Sequence, residues 1–129
     1  MSQFVVFVNG PAYGNQHAYT ALRFCQAALT AGHTLTQVFF YQDGIHNASS
    51  LLSPASDEFA ISQQWQQLAQ QQVSLVCCVS AALRRGVLDD EAAADLDLPN
   101  GNIVPWFSLG GLGEYVTAAA NADRVVQFG

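Results

Sequence analysis

The chain has 129 residues, enough for one domain (1–129) to bury its own hydrophobic core. Only 11% of the residues are charged and 50% are apolar, against roughly 25% charged in typical soluble domains, so uncharged surface is expected to be covered by other subunits. The net charge is −6 and lysine is absent; Arg23, Arg84, Arg85 and Arg124 cannot build the basic stripe that phosphate binding needs, which argues against direct contact with nucleic acid.

Met1-Ser2-Gln3 carries no basic residue, and the apolar run that follows, residues 4–8, is too short for a signal peptide or a membrane span. A cytoplasmic protein with no membrane partner is therefore expected. That run stops at Asn9-Gly10-Pro11 and reads as a strand buried on both faces, the centre of a sheet. Residues 16–31 repeat Ala18, Leu22, Cys25 and Leu29 at helical spacing, with Gly32 as the stop. Residues 34–41, β-branched and aromatic, form the second strand. The long segment 42–56, which contains Asn47, Ser49, Ser50, Ser53 and Pro54, is long enough to suggest a functional or interface loop.

Ser56 ahead of Asp57-Glu58 predicts the N-cap of a second helix, which runs to about Gln72 with Phe59, Trp65 and Leu68 on its apolar side. The third strand is residues 73–79, followed by a short helix over 80–86 with a basic end. Residues 89–97 form an acidic helix with a solvated face. Residues 102–107 are expected to form the fourth strand, 113–121 the last helix and 124–128 the fifth strand.

Alternation of strand and helix predicts an α/β fold: a single-domain open parallel sheet of about five strands with helices on both faces and flavodoxin-like order 2-1-3-4-5. In that order the switch point lies between the first and third strands, where residues 9–15 and 78–85 would meet.

Three cysteines, two of them adjacent, do not make a disulfide framework, and no Cys/His spacing suggests zinc. Cys25 shares the apolar face of the first helix and reads as structural. Cys77 and Cys78 are neighbours on a strand, so their side chains point to opposite faces. Cys78 lies between the end of a strand and the start of a helix, where the helix dipole favours thiolate, which marks it as a candidate nucleophile. The competing reading is a core residue that merely ends a buried strand. His17 opens the first helix near the expected cleft. His33 and His46 read as solvated, and Arg84 and Arg85 complement a helix end. No Cys-His-Asn triad can be assembled, and the carboxylates of 89–97 read as a solvated face.

Several segments together carry a resemblance. Gly10-Pro11-Ala12-Tyr13-Gly14, Val38-Phe39-Phe40-Tyr41, Ser53-Pro54-Ala55-Ser56-Asp57-Glu58-Phe59, Cys78-Val79-Ser80-Ala81-Ala82-Leu83-Arg84-Arg85-Gly86-Val87, Ser108-Leu109-Gly110-Gly111-Leu112-Gly113 and Asp123-Arg124-Val125-Val126 resemble the TusD/DsrE sulfur-relay family, in order along essentially the whole chain. The Pro-Ala-Tyr-Gly and Ser-Pro-Ala-Ser-Asp-Glu-Phe segments are closest to its TusD branch. Ser80 stands where that pattern has alanine, and Cys77 where it has an aliphatic residue.

The resemblance implies a sulfurtransferase subunit that assembles with TusB-like and TusC-like chains as a dimer of heterotrimers. It implies that Cys78 carries sulfur as a persulfide, taken from a donor protein and passed to a TusE-like acceptor, toward 2-thiolation of a tRNA wobble uridine. No metal or organic cofactor is called for. The same resemblance leaves open a DsrE-like role in sulfur oxidation. Two readings of another class are a non-catalytic scaffold subunit and a flavin binder, the latter poorly served by Gly10-Pro11-Ala12-Tyr13-Gly14 as a phosphate loop.

Overall fold

A computed structural model describes residues 1–129. Five strands, β1 (Gln3–Val8), β2 (Thr34–Phe40), β3 (Ser74–Cys78), β4 (Ser108–Gly110) and β5 (Arg124–Phe128), form one parallel sheet. Between them run α1 (His17–Thr30), a 3₁₀ segment (Gln42–Ala48), α2 (Ile61–Gln70), α3 (Val79–Arg84), α4 (Asp90–Asp95) and α5 (Leu112–Asn121).

The continuous apolar strands reflect burial on both faces. Val6 and Val8 share one face with Phe40, which packs edge-on against Trp65 of α2 at 5.1 Å between ring centres. Phe7 and Phe39 point to the other face and meet Tyr115 of α5 at 4.6 and 5.2 Å. Thus α1 and α2 cover one face, where Ala18, Leu22, Cys25, Trp65 and Leu68 are buried, and α5 covers the other. That second cover is thin: no residue of α5 is fully buried, and Val116 is 60% exposed.

The strand order is β4-β3-β2-β1-β5, which corrects the expected 2-1-3-4-5. β2 lies at the centre, and its Val38, Phe39 and Phe40 are wholly buried, whereas Phe4 and Phe7 of β1 are only half-buried. The first three crossovers all step in the same direction, so with right-handed connections their helices fall on one face. Only after β4 does the chain return, through α5 on the opposite face, to the free side of β1. Connections leaving the neighbours β3 and β4 therefore diverge to opposite faces, and the switch-point crevice opens between Cys78 and Gly110, not between β1 and β3, which β2 separates.

Two further expectations are corrected. α2 begins at Ile61 and not at Ser56. The segment before it is a turn in which the Glu58 carboxylate accepts from Ala55 N at 2.7 Å, and Tyr13 holds Phe59 outside the helix by donating its hydroxyl to the Phe59 carbonyl at 2.5 Å. The fourth strand is Ser108–Gly110 and not 102–107. Within 102–107, Asn102 spends its side chain on Leu88 N and the Gly86 carbonyl, Val104 N donates to Ala48 O, and Pro105 has no N–H, so this stretch packs on the 3₁₀ segment outside the ladder.

The 3₁₀ segment takes up the first seven residues of the anticipated long loop and is anchored from inside. Asn47, fully buried, donates Nδ2 to the carbonyls of Gly10 (3.1 Å) and Gly44 (2.8 Å) and accepts from Trp65 Nε1 (3.1 Å). One side chain thereby ties the loop after β1, the segment after β2 and α2 together at the carboxyl edge of the sheet, and α3 packs on the segment so held.

Candidate functional site

β3 ends at Cys78, which is also the N-cap residue of α3, with extended backbone (φ −60°, ψ 119°). The first-turn N–H groups of a helix have no intrahelical acceptor, and no side chain caps this one. Alternation along β3 turns Cys77 toward the face of its register partner Phe40, and Cys78 toward the face of Val76, beside its partner Gly110 on β4. Cys78 is 3% exposed and packs in the core cluster at the carboxyl end of β3.

Gly110 is required there by close approach. A Cβ on it would press on Val76 Cγ1 and on the Glu114 carboxylate, which lies over this glycine from the first turn of α5. On the other side, α3, α4 and β4 enclose a shallow groove of about 330 Å³ that reaches Val79 and Gly110, the residues flanking Cys78. A larger opening of about 500 Å³ lies elsewhere, at the start of α1, lined by Tyr13, Tyr19 and Phe59.

The other thiols differ in kind. Burial pushes the Cys25 thiol up to about 12, and burial, with the neighbouring Cys78 adding to it, raises Cys77 further still. Both are wholly buried and stay protonated near neutral pH.

Other polar candidates are not brought to Cys78. His17 sits at the start of α1 against Gly10 and Gly129, at the β1–β5 side of the sheet. β1 is two strands from β3, roughly 10 Å away at the usual strand spacing. His33 is not solvated as expected; its Nδ1 accepts from Ser2 N at 3.0 Å and its ring packs edge-on to Phe4. Arg85 lies at the far end of α3, where it pairs with Asp43 of the 3₁₀ segment (Nε to Oδ1 2.8 Å) and donates to the Ala81 carbonyl. That pairing holds the Asp43 carboxyl below its ordinary value. Arg84 is exposed. No helix is long and apolar enough to cross a membrane.

Sequence reading missed Asn47, Gly110 and Glu114. A polar residue in a loop and a glycine before a helix carry no signal of their own; the spacing Gly110 to Glu114, four residues across a helix start, is the only hint.

Residues 2–128 match the DsrE/DsrF-like family. The chain belongs to that family. Two relatives, each called sulfurtransferase TusD, from Salmonella dublin and Salmonella enteritidis PT4, are 50% identical over 127 residues, 98% of this chain and 99% of theirs. Among solved structures, the ychN protein of E. coli superposes with a TM-score of 0.79 at 22% identity, covering 99% of this chain and all of the other. The MTH1491 protein of Methanobacterium thermoautotrophicum, of unknown function, gives 0.64 at 9% identity over 97% of each chain. These two likenesses are of fold alone.

Proposed function

We propose that this DsrE/DsrF-like chain, acting as one domain over residues 1–129, is the persulfide-carrying subunit of a sulfur relay, with Cys78 as the carrier. Sulfurtransferase activity follows from 50% identity to sulfurtransferase TusD over nearly the full length of both chains. The observation that singles out Cys78 is its position: of three thiols it alone ends a strand at the switch-point crevice and opens a helix, while Cys25 and Cys77 are locked in the core.

In the reaction, the Cys78 thiolate attacks the outer sulfur of a donor persulfide, R–S–SH. A bond forms between Cys78 Sγ and that sulfur, the donor's S–S bond breaks, and its electron pair leaves on the donor thiolate. The capless first turn of α3 offers N–H groups to the anion so formed. A second thiolate then takes the outer sulfur and returns Cys78 as thiolate. Atoms and charge balance without a metal or organic cofactor.

The finer reading is a cytoplasmic relay in which a TusE-like acceptor receives the sulfur for 2-thiolation of a tRNA wobble uridine, and TusB-like and TusC-like subunits cover apolar surface. It is supported by the thin cover on the α5 face and by the acidic chain, which hands sulfur on without touching RNA. Intact mass after incubation with a persulfide donor, without reductant, tests the carrier: one added, reductant-labile sulfur is expected on wild type and none on Cys78→Ser. Equal loading of both proteins would refute Cys78 as carrier.

The 3% exposure of Cys78 favours one second reading, a scaffold subunit whose strand happens to end in cysteine. Alkylation separates the two: a carrier thiol reacts in the folded protein, whereas a scaffold thiol reacts only on unfolding.

A further inference from the structure

Gly110 pairs with Cys78 across β3 and β4, and a Cβ on Gly110 would meet Val76 Cγ1 at 2.9 Å. Val76 stands two residues before Cys78 on β3, so Val76, Cys78 and the space above Gly110 share one face of the sheet. The Glu114 carboxylate occupies that space. It therefore lies about one strand spacing, roughly 5 Å, from the Cys78 side chain.

The glycine serves this placement and not the backbone, which is left-handed at Gly14, Gly32 and Gly86 but not at Gly110. A helix dipole favours a carboxylate in the first turn of α5. It does not require that the carboxylate reach back over the strand, beyond the N-cap residue Gly111. No cation neutralises Glu114, since the one ion pair in the chain joins Arg85 to Asp43. The side chains next along the same face, Val76, Phe39 and Tyr115, are apolar or uncharged, and a charge beside them is screened less than one in open water.

We propose that Glu114 selects, by charge, the sulfur compounds that react with Cys78. It disfavours anionic ones, such as inorganic polysulfide or the persulfides of small carboxylate-bearing thiols, and favours those whose reacting sulfur has a neutral or cationic neighbour. The inference rests on Cys78 being the carrier. Glu114 forms no bond in the reaction; its fixed negative charge, added to that of the thiolate, repels an anion entering beside Cys78 and attracts a cation.

The probes are three methanethiosulfonates of similar size that end in a sulfonate, a neutral group or a trimethylammonium. The Cys78 thiolate attacks the sulfur bearing that group, the S–S bond breaks, and its electron pair leaves on methanesulfinate, so each probe repeats the sulfur-centred step of the relay. Rates on the full chain at low salt are read by peptide mass, with fragmentation separating Cys78 from Cys77. The ratio of cationic to anionic rate cancels thiolate content and exposure, which a purely structural change would alter for all three probes alike. This ratio should exceed one in wild type, shrink with salt, fall by about threefold or more in Glu114→Gln, and fall further in Glu114→Lys. Gly110→Ala, which pushes the carboxylate aside at constant net charge, should lower it too, while Asp57→Asn, exposed in the segment before α2, should leave it unchanged. An unchanged ratio in Glu114→Gln, an equal fall in Asp57→Asn, or no labelling of Cys78 by any probe would overturn Glu114 as selector. Sulfur loading from a persulfide donor, read by intact mass, is scored separately. Loading without charge selection overturns the selector alone, and no loading overturns the carrier and with it the role of Glu114 in the relay.

Discussion

Replacing Asn47 by alanine should be among the costliest single changes in this chain, although Asn47 takes no part in the chemistry. The substitution removes three buried hydrogen bonds and leaves the Trp65 N–H without an acceptor in the core. At about 1 kcal/mol for each bond lost, plus about 1–2 kcal/mol for the stranded indole donor, the loss is roughly 4 kcal/mol. An unfolding entropy of roughly 2.1 cal/mol/K per residue, over 129 residues, gives about 0.27 kcal/mol/K, so Tm should fall by about 15 °C. Thermal melts followed by circular dichroism at one fixed protein concentration measure this. Trp65→Phe, which keeps most of the ring packing and removes one donor, should fall by about a third as much, and Asn100→Ala, at an exposed position, should not move. An Asn47→Ala protein melting within about 4 °C of wild type would show that the three bonds do not hold the carboxyl edge together, and the account of how Cys78 is positioned would lose its support.

Cys25, raised from 9.0 to about 12, should resist iodoacetamide at pH 8, where about one molecule in ten thousand carries its thiolate, and should react once urea unfolds the chain; labelling sites are read by peptide mass. Because the folded value lies above the unfolded one, the buried thiol favours folding below about pH 9, and that contribution is lost as pH rises toward 12. Urea midpoints should therefore drop across this range, and drop less in Cys25→Ala. Gly110→Ala should displace the Glu114 side chain and strain Val76, at about 1 kcal/mol; adding Glu114→Ala should recover part of that loss in a double-mutant cycle, since the two side chains compete for one space. The Asp43 carboxyl should titrate below its ordinary value by NMR and move back up in Arg85→Gln.

The strands and helices that were legible in the sequence are those whose pattern is local. The fifth strand coincides with Arg124–Phe128, and α1 lies within a residue of its expected ends, because a run of apolar residues or a helical stripe specifies its own burial. Cys78 was legible for the same reason: strand end and helix start are adjacent in the chain. Strand order was not, since right-handedness fixes the hand of each crossover but not whether the next strand lands inside or outside its predecessor. Ile103, Val104 and Phe107 have the composition of a strand, yet packing on the 3₁₀ segment satisfies them without a ladder. Asn47 bonds to residues 18 and 37 positions away, so only the folded chain distinguishes it from a solvated loop residue.

The placement of β5 beside β1 has a kinetic consequence. A backbone-to-carboxylate bond from Gln3 to Asp123 spans 120 positions, whereas one between β1 and β2, from Thr36 to Phe4, spans 32. Loop closure at the longer separation costs about 1.2 kcal/mol more, and such distant pairings form slowly. The first four strands can each add to the one before as the chain emerges, while one edge of β1 waits unpaired until β5 arrives. α5, which brings Glu114 over Gly110, is held at its far end by that same late strand. The wall of the crevice beside Cys78 is thus among the last parts of the molecule to close, and a chain stalled before β5 docks would present its carrier thiol without it.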